Sequence, residues 1–187
     1  MSIVLFPEEG LLTERLTLRT INRNYAEGLL HYHFENRDHF REWEIFREDS
    51  FYTLNVQVDR INEMVNKMYE NNSLHLLIFY KNTNSLVGQC NFTNIVRGPF
   101  QACHLGFSIS ASAEGKGLMQ EALNTAIDFV FKAYGLHRIM ANFRPENVRS
   151  EALLKKLGFE VEGRARAYLK INGEWADHIL TSKINED

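Results

Sequence analysis

Cysteine is scarce in this chain of 187 residues, and the two present, Cys90 and Cys103, form neither a disulfide framework nor a metal-ligand set. Proline occurs three times and glycine 11 times, leaving no Pro- or Gly-rich tract to act as linker or low-complexity segment. No stretch approaches the ~20 consecutive apolar residues of a membrane helix. The start, Met1 to Glu8, lacks a basic region and has too short an apolar run for a signal peptide. A large charge of one sign is also missing. The formal net charge of −3 gives no support to general binding of nucleic acid or anionic membranes. His31-x-His33 is no metal site, because i and i+2 point to different helix faces and no further ligand clusters nearby. These absences together predict a soluble cytoplasmic protein with no metal.

What is present is apolar content of 44%, enough for one domain spanning 1–187 to bury a core. Leu16, Leu18 and Thr20 alternate with other residues and predict a strand over 15–21. A helix at about 24–36 and an irregular acidic stretch to about 50 follow. Leu54, Val58, Ile61, Val65 and Met68 fall on one face of a helix over about 53–71. Strands at 74–80, 86–96 and 100–109, separated by Asn82-Thr83-Asn84 and Arg97-Gly98-Pro99, predict an antiparallel meander. A second helix carries Leu118, Ala122, Ile127, Val130 and Phe131 and ends near Tyr134-Gly135. A strand at 136–143, a short helix at 148–157, and strands at about 160–171 and 174–183 turned by Asn172-Gly173 complete the order.

The most informative stretch is Ser112-Ala113-Glu114-Gly115-Lys116-Gly117-Leu118-Met119, which joins a strand to an amphipathic helix. Two glycines there let the backbone approach a bulky ligand and aim unpaired N–H groups at one point, where the helix dipole adds positive potential. The dinucleotide fingerprint fails, since Gln120 stands where its third glycine belongs, and the P-loop fails because Gly117, not Ser or Thr, follows Lys116. A phosphate socket and an ordinary glycine turn both remain open on this segment alone.

A second segment separates them. Asn142 to Ser150, Asn-Phe-Arg-Pro-Glu-Asn-Val-Arg-Ser, runs into Leu153-Leu154-Lys155-Lys156-Leu157-Gly158-Phe159. Pro145 stops the preceding strand, Asn147 is a good N-cap, and Gly158 can take the left-handed conformation that ends a helix. The two segments, in this order and spacing, resemble the signatures of the GNAT superfamily of acetyl-CoA-dependent N-acetyltransferases. Ser112 departs from the Gln or Arg that usually opens the first signature. Further stretches, among them Trp43-Glu44, Asn91 to Gly98, His137 to Asn142 and Gly173 to His178, extend the resemblance over about Thr13 to Thr181. They point to the branch that acetylates the N-terminal alanine of a small-subunit ribosomal protein.

The resemblance implies an α/β (mixed α+β) fold, a single mixed sheet flanked by helices, with acetyl-CoA as co-substrate. Phe107, Ser108 and Ile109 match the strand that pairs with the pantetheine arm. Gly115, Lys116, Gly117, Leu118 and Met119 match the pyrophosphate loop, and Asn147 an asparagine at the cofactor arm that is also the helix N-cap. It further implies a ribosomal protein N-terminus as acceptor, as a monomer or homodimer, without nucleic-acid or membrane contact. A polyamine, antibiotic or amino acid acceptor, or an acyl-CoA-binding regulator without turnover, stays open.

The chemistry sets modest demands. A protein α-amine has a pKa near ~8 against ~10.4 for lysine, so a weak base suffices, and a thiolate leaving group of pKa about 8.5 needs only a hydroxyl donor. Many members carry a tyrosine where Leu154 stands; Ser150 matches a serine given the acid role in a related branch, and it could equally serve the first helical turn. Glu44, His104 and Glu162 are the base candidates, and nothing in the sequence ranks them. The acids among Glu35 to Asp49 could steer a basic peptide or form a charged surface loop.

Overall fold

The computed structural model describes residues 5–186. The expectation that Met1 to Glu8 carries no leader falls partly on residues 1–4, outside those described. The strands are β1 (Leu11–Leu12), β2 (Leu16–Thr20), β3 (Leu74–Tyr80), β4 (Leu86–Val96), β5 (Ala102–Ile109), β6 (Arg138–Met140), β7 (Glu160–Ile171) and β8 (Glu174–Ile184). The helices are α1 (Ala26–Glu35), α2 (Arg37–Phe40), α3 (Leu54–Tyr69), α4 (Leu118–Tyr134) and α5 (Val148–Lys156). One eight-stranded sheet runs β1-β2-β3-β4-β5-β6-β8-β7. Among the described residues its only parallel pair is β5 with β6.

The run of β3, Leu-His-Leu-Leu-Ile-Phe-Tyr, apolar on both faces but for His75, shows why the sheet is covered on both faces. Leu74, Leu76 and Ile78 join Leu123, Ile127 and Val130 of α4 in the larger core, while Leu77 and Phe79 face the opposite way, onto Leu29 of α1 and Ile61 of α3. The strand alternation thus distributes one sequence between two cores. Cys90 and Cys103 belong to the larger core, and burial pushes both thiols up to about 12. Among the described residues no helix is long and apolar enough to cross a membrane, and no group of three or more His, Cys, Asp or Glu is placed to hold a metal.

The sheet splits in the middle, and that split creates the site. β6 pairs with β5 only through Ala102↔Arg138, Cys103↔Ile139 and His104↔Met140. The strand expected over 136–143 is shorter because the chain beyond Met140 parts from β5 and stays beside β8 alone: the Ala141 amide donates to the Thr181 carbonyl at 3.0 Å and the Phe143 amide to that of Ile179 at 3.2 Å. Leu105 to Ile109 consequently have no strand neighbour on their β6 side. Two further departures are small. β1 was not expected, and the stretch read as irregular contains the single turn α2, too short to show a helical period.

Candidate active site

A cleft opens between the free edge of β5 and α5, floored by the loop entering α4. Ser110 to Gly117 form that loop. Its start is fixed by the Ser110 amide donating to the Val87 carbonyl at 2.8 Å and the Ala111 amide to Asn36 Oδ1 at 2.9 Å. Gly115 and Gly117 have φ of +70° and +73°, the left-handed region that disfavours other residues. A side chain placed on Gly115 would meet nothing within 4 Å, so the backbone there faces open space. Gly117 is the N-cap of α4, whose first amides are left for an external acceptor.

Glu121 anchors the floor from the first turn of α4. Its Oε1 accepts from the Thr13 hydroxyl and, at 2.7 Å, from the Arg15 amide; its Oε2 accepts from Arg15 Nε at 2.7 Å. Arg15 Nη1 in turn donates to the Lys116 carbonyl at 3.0 Å. Lys116 itself does not line the cleft, as its Nζ donates back to the Ser112 carbonyl at 2.7 Å. The main chain of the loop, with Leu118 and Met119, is therefore what faces the cleft.

Along the wall, Phe107, Ser108 and Ile109 present the free β5 edge. The Ser108 side chain is held by a 3.0 Å hydrogen bond with the Tyr32 hydroxyl and receives one from Gln89 Nε2 at 3.2 Å. Opposite, Asn147 caps α5, its Oδ1 accepting from the Ser150 amide at 3.0 Å. The Ser150 hydroxyl lines the cleft and, among the described residues, makes no hydrogen bond. Leu154 is buried in the larger core and also lines the cleft, so an apolar side chain stands at that position.

The three base candidates separate in space. Glu44 lines the cleft on a turn after α2, with its amide bonded to the Phe40 carbonyl at 2.9 Å. Burial raises its carboxyl above the usual range against the opposing pull of Arg47, 3.7 Å away, and Arg60. Those two guanidinium groups sandwich the Phe51 ring at 4.5 and 4.4 Å. Next to them His33 is held neutral, its pKa pushed down to about 3 by burial and by both arginines. His104 lies in the paired part of β5, away from the cleft lining, and burial lowers its pKa. Glu162 bonds Arg138 and accepts from the Ser182 hydroxyl at 2.9 Å, contacts that hold its carboxyl low.

Several lining residues carried no role from sequence: His39, Glu114, Arg144, Arg149 and His178. Arg144 and Arg149 lay within a quoted signature, yet an arginine in a string of letters does not show which way it points. A second cleft shares Phe40 and Glu44 with the first and is lined by Arg37, Asp38, Arg47 and Asp49, so its charge is mixed rather than acidic.

Known proteins are similar to this chain in sequence and in fold. An E. coli [ribosomal protein uS5]-alanine N-acetyltransferase is 41% identical over 97% of this chain and 93% of its own. The crystal structure of a ribosomal-protein-S5-alanine acetyltransferase from Vibrio fischeri superposes with a TM-score of 0.90 at 40% identity, covering 94% of this chain and 96% of that one. Mycobacterium smegmatis RimJ, solved in complex with CoA-disulfide, superposes at 0.87 with 26% identity, covering 91% and 82%. Residues 15–160, which hold the glycine loop, the free β5 edge and all of α5, match the acetyltransferase (GNAT) domain, and the chain belongs to that family of acetyltransferases.

Proposed function

We propose that this chain is a single-domain enzyme that binds acetyl-CoA in the cleft and acetylates the α-amine of a protein N-terminus, an N-terminal alanine of a ribosomal protein. One observation carries the reading: the half of the cleft lined by the left-handed glycines adjoins the half lined by Glu44, the two sharing Ile109, Glu114, Met119, Arg149 and Leu153. The residues present fit the coenzyme. Exposed loop amides suit a diphosphate, the unpaired β5 edge suits an amide-bearing arm, and the unpartnered Ser150 hydroxyl lines the same half of the cleft as that edge. Bound there, acetyl-CoA supplies an acyl group activated as a thioester and a thiol leaving group.

The chain's own groups do the rest. The amides at Gly115 to Met119 hold the diphosphate, while the edge of Leu105 to Ile109 and Asn147 align the arm. Glu44, whose carboxyl pKa is raised by burial, takes the proton of the incoming ammonium; the amine then forms the C–N bond as the C–S bond breaks, and Ser150 Oγ donates a proton to the leaving sulfur and recovers one from the acetylated nitrogen. A carboxylate base is adequate for an α-amine, of which about a tenth is neutral at pH 7; lysine would be neutral in fewer than about one molecule in a thousand. The adjoining cleft, entered past Phe40 and Glu44, gives the peptide its exit. The named substrates of the E. coli and Vibrio fischeri relatives support alanine as the first residue.

Thiol release with acetyl-CoA tests this against Ala-starting peptides, N-blocked peptides bearing lysine, spermidine and aminoglycosides. Turnover confined to free Ala-starting termini is expected. Preference for a small amine would replace the acceptor, and binding without turnover would replace the enzyme by an acyl-CoA-binding module.

A further inference from the structure

We propose that Arg149 is a phosphate-binding residue, its guanidinium exchanging the Glu114 carboxylate for the coenzyme diphosphate. The inference rests on the acetyl-CoA reading above and adds a residue and a competition to it. Arg149 Nη1 lies 2.8 and 2.6 Å from the two oxygens of Glu114. That ion pair joins α5 to the glycine loop, and both partners line both halves of the cleft, so it spans the cleft where the halves meet.

The surroundings are built for an anion other than Glu114. Arg149 and Lys156, seven residues apart on α5, line the lower cleft on the same side as Ala152 and Leu153, facing Gly115 and Gly117. Glu114 is the one carboxylate among the described residues that line it. Only one terminal nitrogen of Arg149 is engaged, which leaves most of its five donors free for the bidentate contacts phosphates take. With its side chain 68% exposed, the pair is weak and readily exchanged. Glu114 does not become an orphan on release, because His39 Nε2 lies 3.3 Å from its Oε1.

An exchange predicts a sign that a simple contact does not. Titration calorimetry with coenzyme A should show Arg149→Gln binding about tenfold or more weakly, and Arg149→Lys in between. Glu114→Gln should bind about threefold to fivefold more tightly, because the competing anion is gone. In the Arg149→Gln background the Glu114→Gln gain should largely vanish, whereas a through-space charge effect would keep it. S-acetylpantetheine, which lacks the diphosphate, should bind all five proteins alike. Wild-type affinity in Arg149→Gln, or a Glu114→Gln gain undiminished in the double variant, would overturn the exchange. Failure of the wild-type protein to bind coenzyme A would instead remove the acetyltransferase reading itself.

Discussion

Arg144 Nη1 donates to the Glu42 carbonyl at 2.9 Å, a bond across the cleft between the segment leading into α5 and the turn that carries Glu44. The same guanidinium lies 5.9 Å from the Trp43 ring centre and its Nε 3.4 Å from Glu146. Arg144 thus ties the cofactor wall to the acceptor wall at one point. From the other side the Asn172 side chain, at the β7–β8 turn, donates to the Arg41 carbonyl. Glu44 is therefore positioned by residues far from it in sequence.

Arg144→Ala should free that turn and misplace Glu44. Peptide KM should rise and kcat fall, together about tenfold in kcat/KM, while coenzyme affinity changes less than about twofold. Varying peptide at saturating acetyl-CoA, alongside calorimetry with coenzyme A, separates the two effects. A loss confined to coenzyme affinity would place Arg144 in the cofactor wall alone.

Glu44 has an activity prediction and a stability prediction of opposite sense. As base, its replacement in Glu44→Gln should lower kcat about a hundredfold and remove the acid limb of the pH–rate profile, a limb lying above the ordinary glutamate value near ~4.3. Because burial raises its folded pKa, the stability linked to Glu44 is present below the unfolded value and lost as pH rises through the folded one. Glu44→Gln should therefore melt higher than the wild-type protein at pH 7, with the gap closing below about pH 4. A lower melting temperature at pH 7 would mean that pairing with Arg47 outweighs burial.

How much of this was legible depends on whether the determinant was local. β3 and β4 begin and end where the apolar runs and their turns place them, and Gly158, with φ of +80°, ends α5 as its position suggested. The glycine loop was legible for the same reason, since strand, turn and helix follow one another in the chain. β6 was overextended because Phe143 is equally strand-like whether it pairs with β5 or, as it does, bridges Ile179 of β8. The base could not be ranked because the environment of Glu44 is assembled from Arg47, Phe51 and Arg60, the last on α3. Lys116 was grouped with the cofactor loop, and only the fold shows its Nζ turned to Ser112.

Ser150 and Asn147 divide two roles that one residue could have held. The Ser150 amide is already capped by Asn147, so the Ser150 hydroxyl is dispensable for the helix. Ser150→Ala should keep its melting temperature and lose kcat by about tenfold or more, with coenzyme affinity unchanged. Asn147→Ala should lose about 1 kcal/mol of stability as a broken N-cap. Thermal melts and steady-state kinetics on both variants check this; wild-type kcat in Ser150→Ala would exclude its hydroxyl as proton donor.

The clamp beneath the glycine loop gives a final prediction, in which acid acts on the loop through Glu121. Burial alone would raise the Glu121 carboxyl, but hydrogen bonds from Thr13 and from the Arg15 amide and side chain, with the charge of Arg15, hold it below the usual range. Its contribution to stability is therefore present above the unfolded value near ~4.3 and disappears as pH falls through the folded one. Glu121→Gln should cost about 1 kcal/mol at pH 7, a figure discounted for the exposed Arg15 partner, and nothing once the wild-type carboxyl is protonated. Since Arg15 also holds the Lys116 carbonyl, the same variant should bind coenzyme A a few-fold more weakly at pH 7. Melting curves at stepped pH and parallel titrations check both halves. A Glu121→Gln protein with loosened stability but unchanged coenzyme affinity would show that the clamp supports the fold without shaping the loop.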